Sequence, residues 1–388
     1  MHAALHLAVL AVIFSAPPSE ATAQARGETA GFVVRLGSDT LAVEQYRRSA
    51  TALESELAVR VPFARRVHIL AAIDTAGRMT RFDLTARPLT NSAGPPTRGT
   101  IIFHGDSADL TLTLGDSTRS LRIATYPGAV PLSAFSAALV EQAILQARRV
   151  PRDSVAFDWI ALGSPQAAPS YVTRRGKDSV AVGFFGNPLL ARVDGHGRLL
   201  GLDGRETTQK VLVTRVREVN VGAFATALIQ AETAQGPAGQ LSSRDTAHAE
   251  VGAARLTLDY GRPKKRGREI FGGVVPWNQV WRTGANAATQ LTTDAPLQVG
   301  DQVIPAGAYS LWTLTEPAGS KLIVNRQTGQ WGTDYDPSQD LVRLDLRQTA
   351  LPSPVESFTI TVEPGDSGGI LALSWDTTRF ELPFTVAR

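Results

Sequence analysis

The chain has no cysteine, and only two methionines and six histidines among its 388 residues. Without Cys there is no disulfide framework, no thiolate metal or iron–sulfur site, no nucleophilic thiol and no lipid-modified N-terminal Cys. Lysine is scarce too, so nearly all of the 39 basic residues are Arg. Against 36 acids they leave a formal charge of only +3. Neither half of the chain gathers the basic face that nucleic-acid binding requires. His68, His104 and His196 are far apart and show no ligand spacing, so no metal is expected. The Gly-rich stretches lack a phosphate-loop Lys or a strand-to-helix setting, and no cofactor is expected either.

Long apolar runs are almost absent. The exception is residues 3–16, AALHLAVLAVIFSA, followed by Pro17, Pro18 and the small-residue pattern Ala23-Gln24-Ala25. This reads as a signal peptide over residues 1–25, cleaved after Ala25, with an n-region that has no Lys or Arg. The run is shorter than the ~20 residues that cross a bilayer. The mature protein is therefore expected to be exported, periplasmic or extracellular, with no stable membrane insertion.

What is abundant is alternation. From residue 30 to about 215, short runs with apolar residues at every second position are separated by turn clusters such as Gly37-Ser38-Asp39, Asp74-Thr75-Ala76-Gly77 and Asp194-Gly195-His196-Gly197. Strands at that spacing predict an antiparallel meander. One interruption, residues 132–149, places Leu132, Phe135, Leu139 and Ala143 at helical spacing. A curved sheet wrapped over this helix would bury both apolar faces, giving a half-barrel domain over residues 26–233. Its architecture loosely resembles lipoprotein-carrier folds of the periplasm. A second helical stretch, 221–232, leads into a Gly/Pro/Ser-rich linker at 234–244. Beyond it the alternation is cleaner: Leu256, Leu258 and Tyr260 share one parity, as do Leu371, Leu373 and Trp375. One wet and one dry face per strand predicts an antiparallel β-sandwich, jelly-roll-like, over 245–388. The fold class is thus mainly β.

Several segments after the linker occur in one order: Leu258-Asp259-Tyr260-Gly261-Arg262-Pro263, Gly267 to Gly273, Val275-Pro276-Trp277, Trp281-Arg282-Thr283-Gly284-Ala285-Asn286, Pro305 to Leu311, Asn325, Trp331-Gly332 and Ser374-Trp375. In these, residues 245–388 resemble the domain of unknown function (DUF) family number 2911 of secreted bacterial proteins. The resemblance implies an exported all-β domain and brings no activity, substrate or catalytic residue with it.

Gly365-Asp366-Ser367-Gly368-Gly369 matches the surroundings of a trypsin-like nucleophile, but such a Ser needs a His and a buried Asp. His248, near the start of this domain, is the one His after the linker, and the segment is expected to be a hairpin turn. The ligand-binding candidates are Arg282 and Asn286, with Trp277 and Trp281, joined by Arg262 and Trp331. Arg offers a planar fork to a carboxylate or phosphate, and Asn both donates and accepts. Trp277 and Trp281, four residues apart, would share one side of a short helical turn. The competing explanation is that the indoles fill the core edge while Arg282 and Asn286 pin a long loop. Trp375 is expected in the core. The basic cluster Lys264-Lys265-Arg266 is expected to be a solvated loop.

Nothing here amounts to a catalytic set. The expectation is an exported non-catalytic binding or structural protein of the bacterial envelope. Its ligand would be an amphiphilic or glycan small molecule, held at the Trp/Arg/Asn loop or in an apolar hollow between the first sheet and its helix. The alternative is a hydrolase of envelope glycans or esters using Asp259, Glu269, Asp294 or Asp376, which requires two carboxyls within ~5 to 9 Å.

Overall fold

The computed structural model describes residues 27–91, 94–183, 188–205, 207, 210–317, 319–365 and 367–386. The expected signal peptide lies outside them.

The chain is mainly β, as its alternation predicts. Fifteen strands form one sheet. Eight consecutive strands, from Glu28–Leu36 to Ser117–Ala124, each pair with the next. The chain then passes through strand Val130–Leu132 and helix α1 (Ala137–Arg148). Six further strands, from Ser154–Ala161 to Leu212–Val216, meander back until the last pairs antiparallel with Glu28–Leu36.

α1 begins later than its apolar spacing predicts. Phe135 has φ +70 and Ser136 is extended, while Leu132 belongs to the preceding strand. The rest, AALVEQAILQAR, consists largely of strong helix formers. Its buried residues, which include Ala137, Leu139, Glu141 and Ile144, surround the axis rather than form one stripe. That is the signature of an enclosed helix. The sheet curls around it. Gln142 Nε2 donates to Gly77 O at 2.8 Å and Arg148 Nη2 to Gly195 O at 2.8 Å, turns on opposite arms of the meander. The two ends of the sheet also face each other. Thr125 Oγ1 and Tyr126 N both donate to Asp158 Oδ2 at 2.8 Å, and a Cβ on Gly99 would lie 2.2 Å from Leu162. No ladder joins the end strands, so the barrel stays open.

Helix α2 (Val221–Gln235) packs on the outer face, where Val221, Ala225 and Leu228 meet Val43, Ala58 and Ala64. Asn220 Oδ1 accepts from Ala223 N at 2.8 Å and caps it.

From Ser242 onward a seven-stranded and a four-stranded antiparallel sheet enclose a second core of Leu258, Tyr260, Leu311, Phe358, Leu373 and Trp375 among others. Trp375 is 1% exposed, as its parity predicts. In the final strand the buried positions change from odd (Leu371, Leu373, Trp375) to even (Phe380, Leu382, Phe384). A bulge makes this possible: Asp376 has φ +53 and the register shifts beside it. Gly365 N donates to Gly368 O at 2.7 Å, so the described residues of the protease-like segment lie at the turn between the last two strands, Asp366 being outside the described residues.

The basic cluster is docked rather than solvated. Lys265 Nζ donates to Asp376 Oδ1 at 2.5 Å, and Arg266 pairs with Asp39. Ser38 N donates to Arg266 O at 2.9 Å, so this loop sits on the first hairpin turn. Gly37, at φ +60, makes the approach possible: a Cβ there would be 2.0 Å from Arg266 O.

Candidate functional site

Candidate binding residues gather in two places: the cavity at the start of α1, and the loop around Arg282.

The strand Asp39–Arg48 points Ala42, Glu44, Tyr46 and Arg48 to its concave, buried face. Two of these are charged, at positions whose alternation calls for apolar residues. Glu44 is fully buried. Its Oε2 accepts from Ala137 N (2.7 Å) and Ala138 N (3.1 Å), the first free amides of α1. Its Oε1 accepts from Ser55 Oγ and Ser136 Oγ, both at 2.6 Å. Thus a carboxylate from the sheet supplies the N-terminal cap that Ser136, whose hydroxyl faces Glu44, does not. Burial pushes the Glu44 carboxyl up, and these four donors act against that push.

One turn on, Glu141 accepts from Tyr46 Oη at 2.7 Å, Leu199 N at 2.8 Å and Arg215 Nη1 at 2.8 Å. Arg48 Nη1 donates to Gln142 Oε1 at 2.5 Å. Burial, then the neighbouring Glu141 carboxylate, push the Tyr46 phenol well up, so it remains a donor. These groups peg the helix to the sheet on one side and fix its height and rotation.

On the other side the helix leaves space. A cavity of about 240 Å³ lies between α1 and the sheet, lined by Leu132, Phe135, Leu139, Trp159, Leu202 and Val213 among others. Among the described residues Ser133 and Ser136 are the polar side chains of the wall besides the indole, and no Lys, Arg, Asp or Glu lines it. Trp159 Nε1 donates to Gly183 O at 3.0 Å, which leaves its ring as an apolar wall. Phe135, in the left-handed region that a Phe seldom adopts, stands in the loop at one end of the cavity.

The second site gathers three of the six sequence candidates. Trp281 faces Thr313 in the ladder, so its side chain shares the inner face, where it stacks on Trp375 at 5.9 Å and meets Phe358 at 5.1 Å. Arg282, next along, has the outer-face parity of Trp312. The outer face is covered by the loop after Asn325. Trp312, 1% exposed, is capped by Tyr335 at 4.9 Å, whose hydroxyl burial and the Asp340 hydrogen bond push up to about 12. Gly332 N donates to Asn286 O at 2.9 Å, and Ala287 bridges to Trp331. Gly332 lies directly on the Arg282 stem: a Cβ there would sit 2.0 Å from Arg282 Cδ. Arg282, Asn286 and Trp331 are therefore brought together.

The other three are not. Trp281 is core, as just described. Arg262 is held by Asp245 (3.0 Å), Phe358 O (3.2 Å) and Thr359 Oγ1 (3.1 Å). Trp277 lies against Phe271 at 6.1 Å. The expected helical turn joining Trp277 to Trp281 is absent, because Gln279–Trp281 is a strand that pairs with Gly307–Thr315.

Of the carboxylates considered for hydrolysis, Asp259 pairs with Arg244, Asp294 with Arg255 and Asp376 with Lys265. These three are each matched to their own base; Glu269 is exposed and has no ion pair among the described residues, and none of the four meets another acid. His248 bonds Thr257 Oγ1 at 3.2 Å on an exposed strand. Among the described residues no three His, Asp or Glu cluster as metal ligands, and no helix is long and apolar enough to cross a membrane.

Fold and sites together define a two-core β protein with an enclosed helix, an apolar cavity and no assembled catalytic set among the described residues. Residues 242–384 match the family model "Protein of unknown function (DUF2911)". No curated protein matches the chain. Among solved structures, a DUF1089 family protein from Pseudomonas aeruginosa aligns over 42% of this chain and 90% of its own, with 12% identity and a TM-score of 0.33. A botulinum neurotoxin type C structure, described by its interaction with two ganglioside molecules, aligns over 93% and 87% with 8% identity and a TM-score of 0.10. Likenesses at that level carry no argument about this chain.

Proposed function

We propose that this is an exported, non-catalytic binding protein that takes up the apolar part of a small amphiphile in the cavity beside α1. The observation that carries this is the cavity itself: about 240 Å³, walled by aliphatic and aromatic side chains, with two serines and no charged side chain among the described residues of its lining. The hollow is partly open beside its loop, and what marks it out is the aliphatic and aromatic wall rather than its size. An apolar cavity of about 150 Å³ admits benzene. This one suits a single ring or a short alkyl chain rather than a whole lipid. Phe135, held in an uncommon backbone conformation at one end, supports a binding role, since strain of this kind concentrates at ligand clamps.

A calorimetric series of straight-chain alcohols tests the reading. Affinity is expected to rise about fourfold per methylene, at ~0.8 kcal/mol each, and to level off once the cavity is full. Ala134→Trp, at an exposed position in the cavity's loop, is expected to abolish binding without loss of fold. No heat with any alcohol, or equal binding by the variant, would overturn it.

A further inference from the structure

Burial pushes five described arginines below their ordinary pKa: Arg48, Arg65, Arg198, Arg268 and Arg282. Arg48 is answered by Gln142 and Glu141, Arg65 by Val61 O, Arg198 by Glu28, and Arg268 by Lys264 O and Lys265 O. Arg282 differs. Among the described residues it has neither an ion pair nor a hydrogen-bond acceptor, and its Nε is sealed from solvent without a partner. A desolvated, unanswered cation is costly, and its replacement by an apolar residue of similar length is often neutral or stabilising. A loop pin would have its donors on carbonyls, as Arg268 does. Arg282 does not act as a pin.

Around it stand groups suited to a sugar. Trp331 is 48% exposed, the most exposed indole of the described chain. Asn286 is exposed at φ +65, and its carbonyl holds Gly332 N at 2.9 Å, which ties the two loops into one surface. An indole face takes the apolar side of a pyranose, an amide both donates to and accepts from hydroxyls, and a guanidinium with its Nε already buried offers its two terminal nitrogens to a carboxylate.

We propose that Arg282, Asn286 and Trp331 form a second binding site, separate from the α1 cavity, for a carboxylate-bearing sugar of the uronic acid class. Titration of the full chain with tetragalacturonate, followed by tryptophan fluorescence, tests it. Saturable binding that weakens with salt is expected, with cellotetraose at least tenfold weaker. Arg282→Met keeps the stem over Gly332 and removes the charge. It should cost tenfold or more in affinity while leaving the melting temperature unchanged or higher. Trp331→Ala should lose the fluorescence change and weaken both sugars. No saturable binding of tetragalacturonate, equal binding by Arg282→Met, or a melting temperature that falls in Arg282→Met would overturn the site. Tighter binding of glucose 6-phosphate than of glucuronate would overturn the carboxylate assignment.

Discussion

Replacing Glu44 by Leu removes the acceptor of four hydrogen bonds at once. The hydroxyls of Ser55 and Ser136 can rotate toward other acceptors; the amides of Ala137 and Ala138 cannot, because they open the helix and have no carbonyl four residues back. Each buried N–H left unmade costs about 1–3 kcal/mol. Leu does relieve the burial of a carboxyl, but loss of one partner in a buried charged network is generally expensive, about 3–5 kcal/mol. We therefore expect a net loss of about 3–5 kcal/mol, a large part of the 5–15 kcal/mol typical of a domain. Because the chain has two cores, a single melting temperature does not say which segment has loosened. Hydrogen exchange resolved by peptide does. Protection over Ala137–Arg148 should fall about a hundredfold to a few thousandfold, at ~1.4 kcal/mol per tenfold, while strands after Ser242 stay as protected as before. A change of less than threefold over α1 would refute the claim that a sheet carboxylate caps this helix. Equal loss after Ser242 would refute the independence of the two cores.

Other outcomes follow from single observations. Gly37→Ala places a Cβ 2.0 Å from Arg266 O at φ +60, so it should destabilise by more than ~1 kcal/mol and raise exchange at Ser38; an unchanged Ser38 amide would count against the docked loop. Hydrogen bonds from Arg347 and then Arg379 hold Glu381 below the usual Glu range. The folded pKa is thus lower than the unfolded one, and the stabilisation is present above about pH 4.5 and lost as pH falls through the folded value. Glu381→Gln should flatten the acid limb of a melting-temperature profile, and an identical limb in both proteins would contradict it. Finally, Trp331→Phe should lower the iodide-quenchable fluorescence, because Trp331 is 48% exposed, Trp277 and Trp281 are half-buried, and Trp159, Trp312 and Trp375 are buried; unchanged quenching would contradict its exposure.

Much of the architecture was legible because strand period is a local signal. Leu256, Leu258 and Tyr260 are buried as their parity requires, and the turn clusters fall where strands end. The start of α1 is not legible in the sequence, because Leu132 and Phe135 happen to fall in helical phase, whereas Phe135 takes a left-handed backbone conformation just before the helix. Of the six candidate site residues, sequence adjacency put Trp281 and Arg282 in one group. Strand alternation sends them to opposite faces of the sheet. Glu44, Tyr46, Glu141 and Arg215 escaped notice altogether. The one trace they left is a Glu and an Arg at the inward phase of the strand Asp39–Arg48, and a helix with few charges on any side.

By itself the sequence determined the class: no thiol chemistry, mainly strands, a helical stretch interrupting the first meander, and a C-terminal segment that resembles an uncharacterised family. These depend on composition and on periods of two and 3.6 residues, which each short stretch carries within it. The tertiary structure decided how the sheet curls around that helix, which side of the helix is pegged by Glu44 and Glu141 and which is left hollow, and that Arg282 ends without a partner. Those features depend on side chains up to 187 residues apart, such as Arg215 and Glu28, meeting across a curved sheet. No local pattern encodes such meetings, because the curvature that produces them is a property of the whole packed sheet.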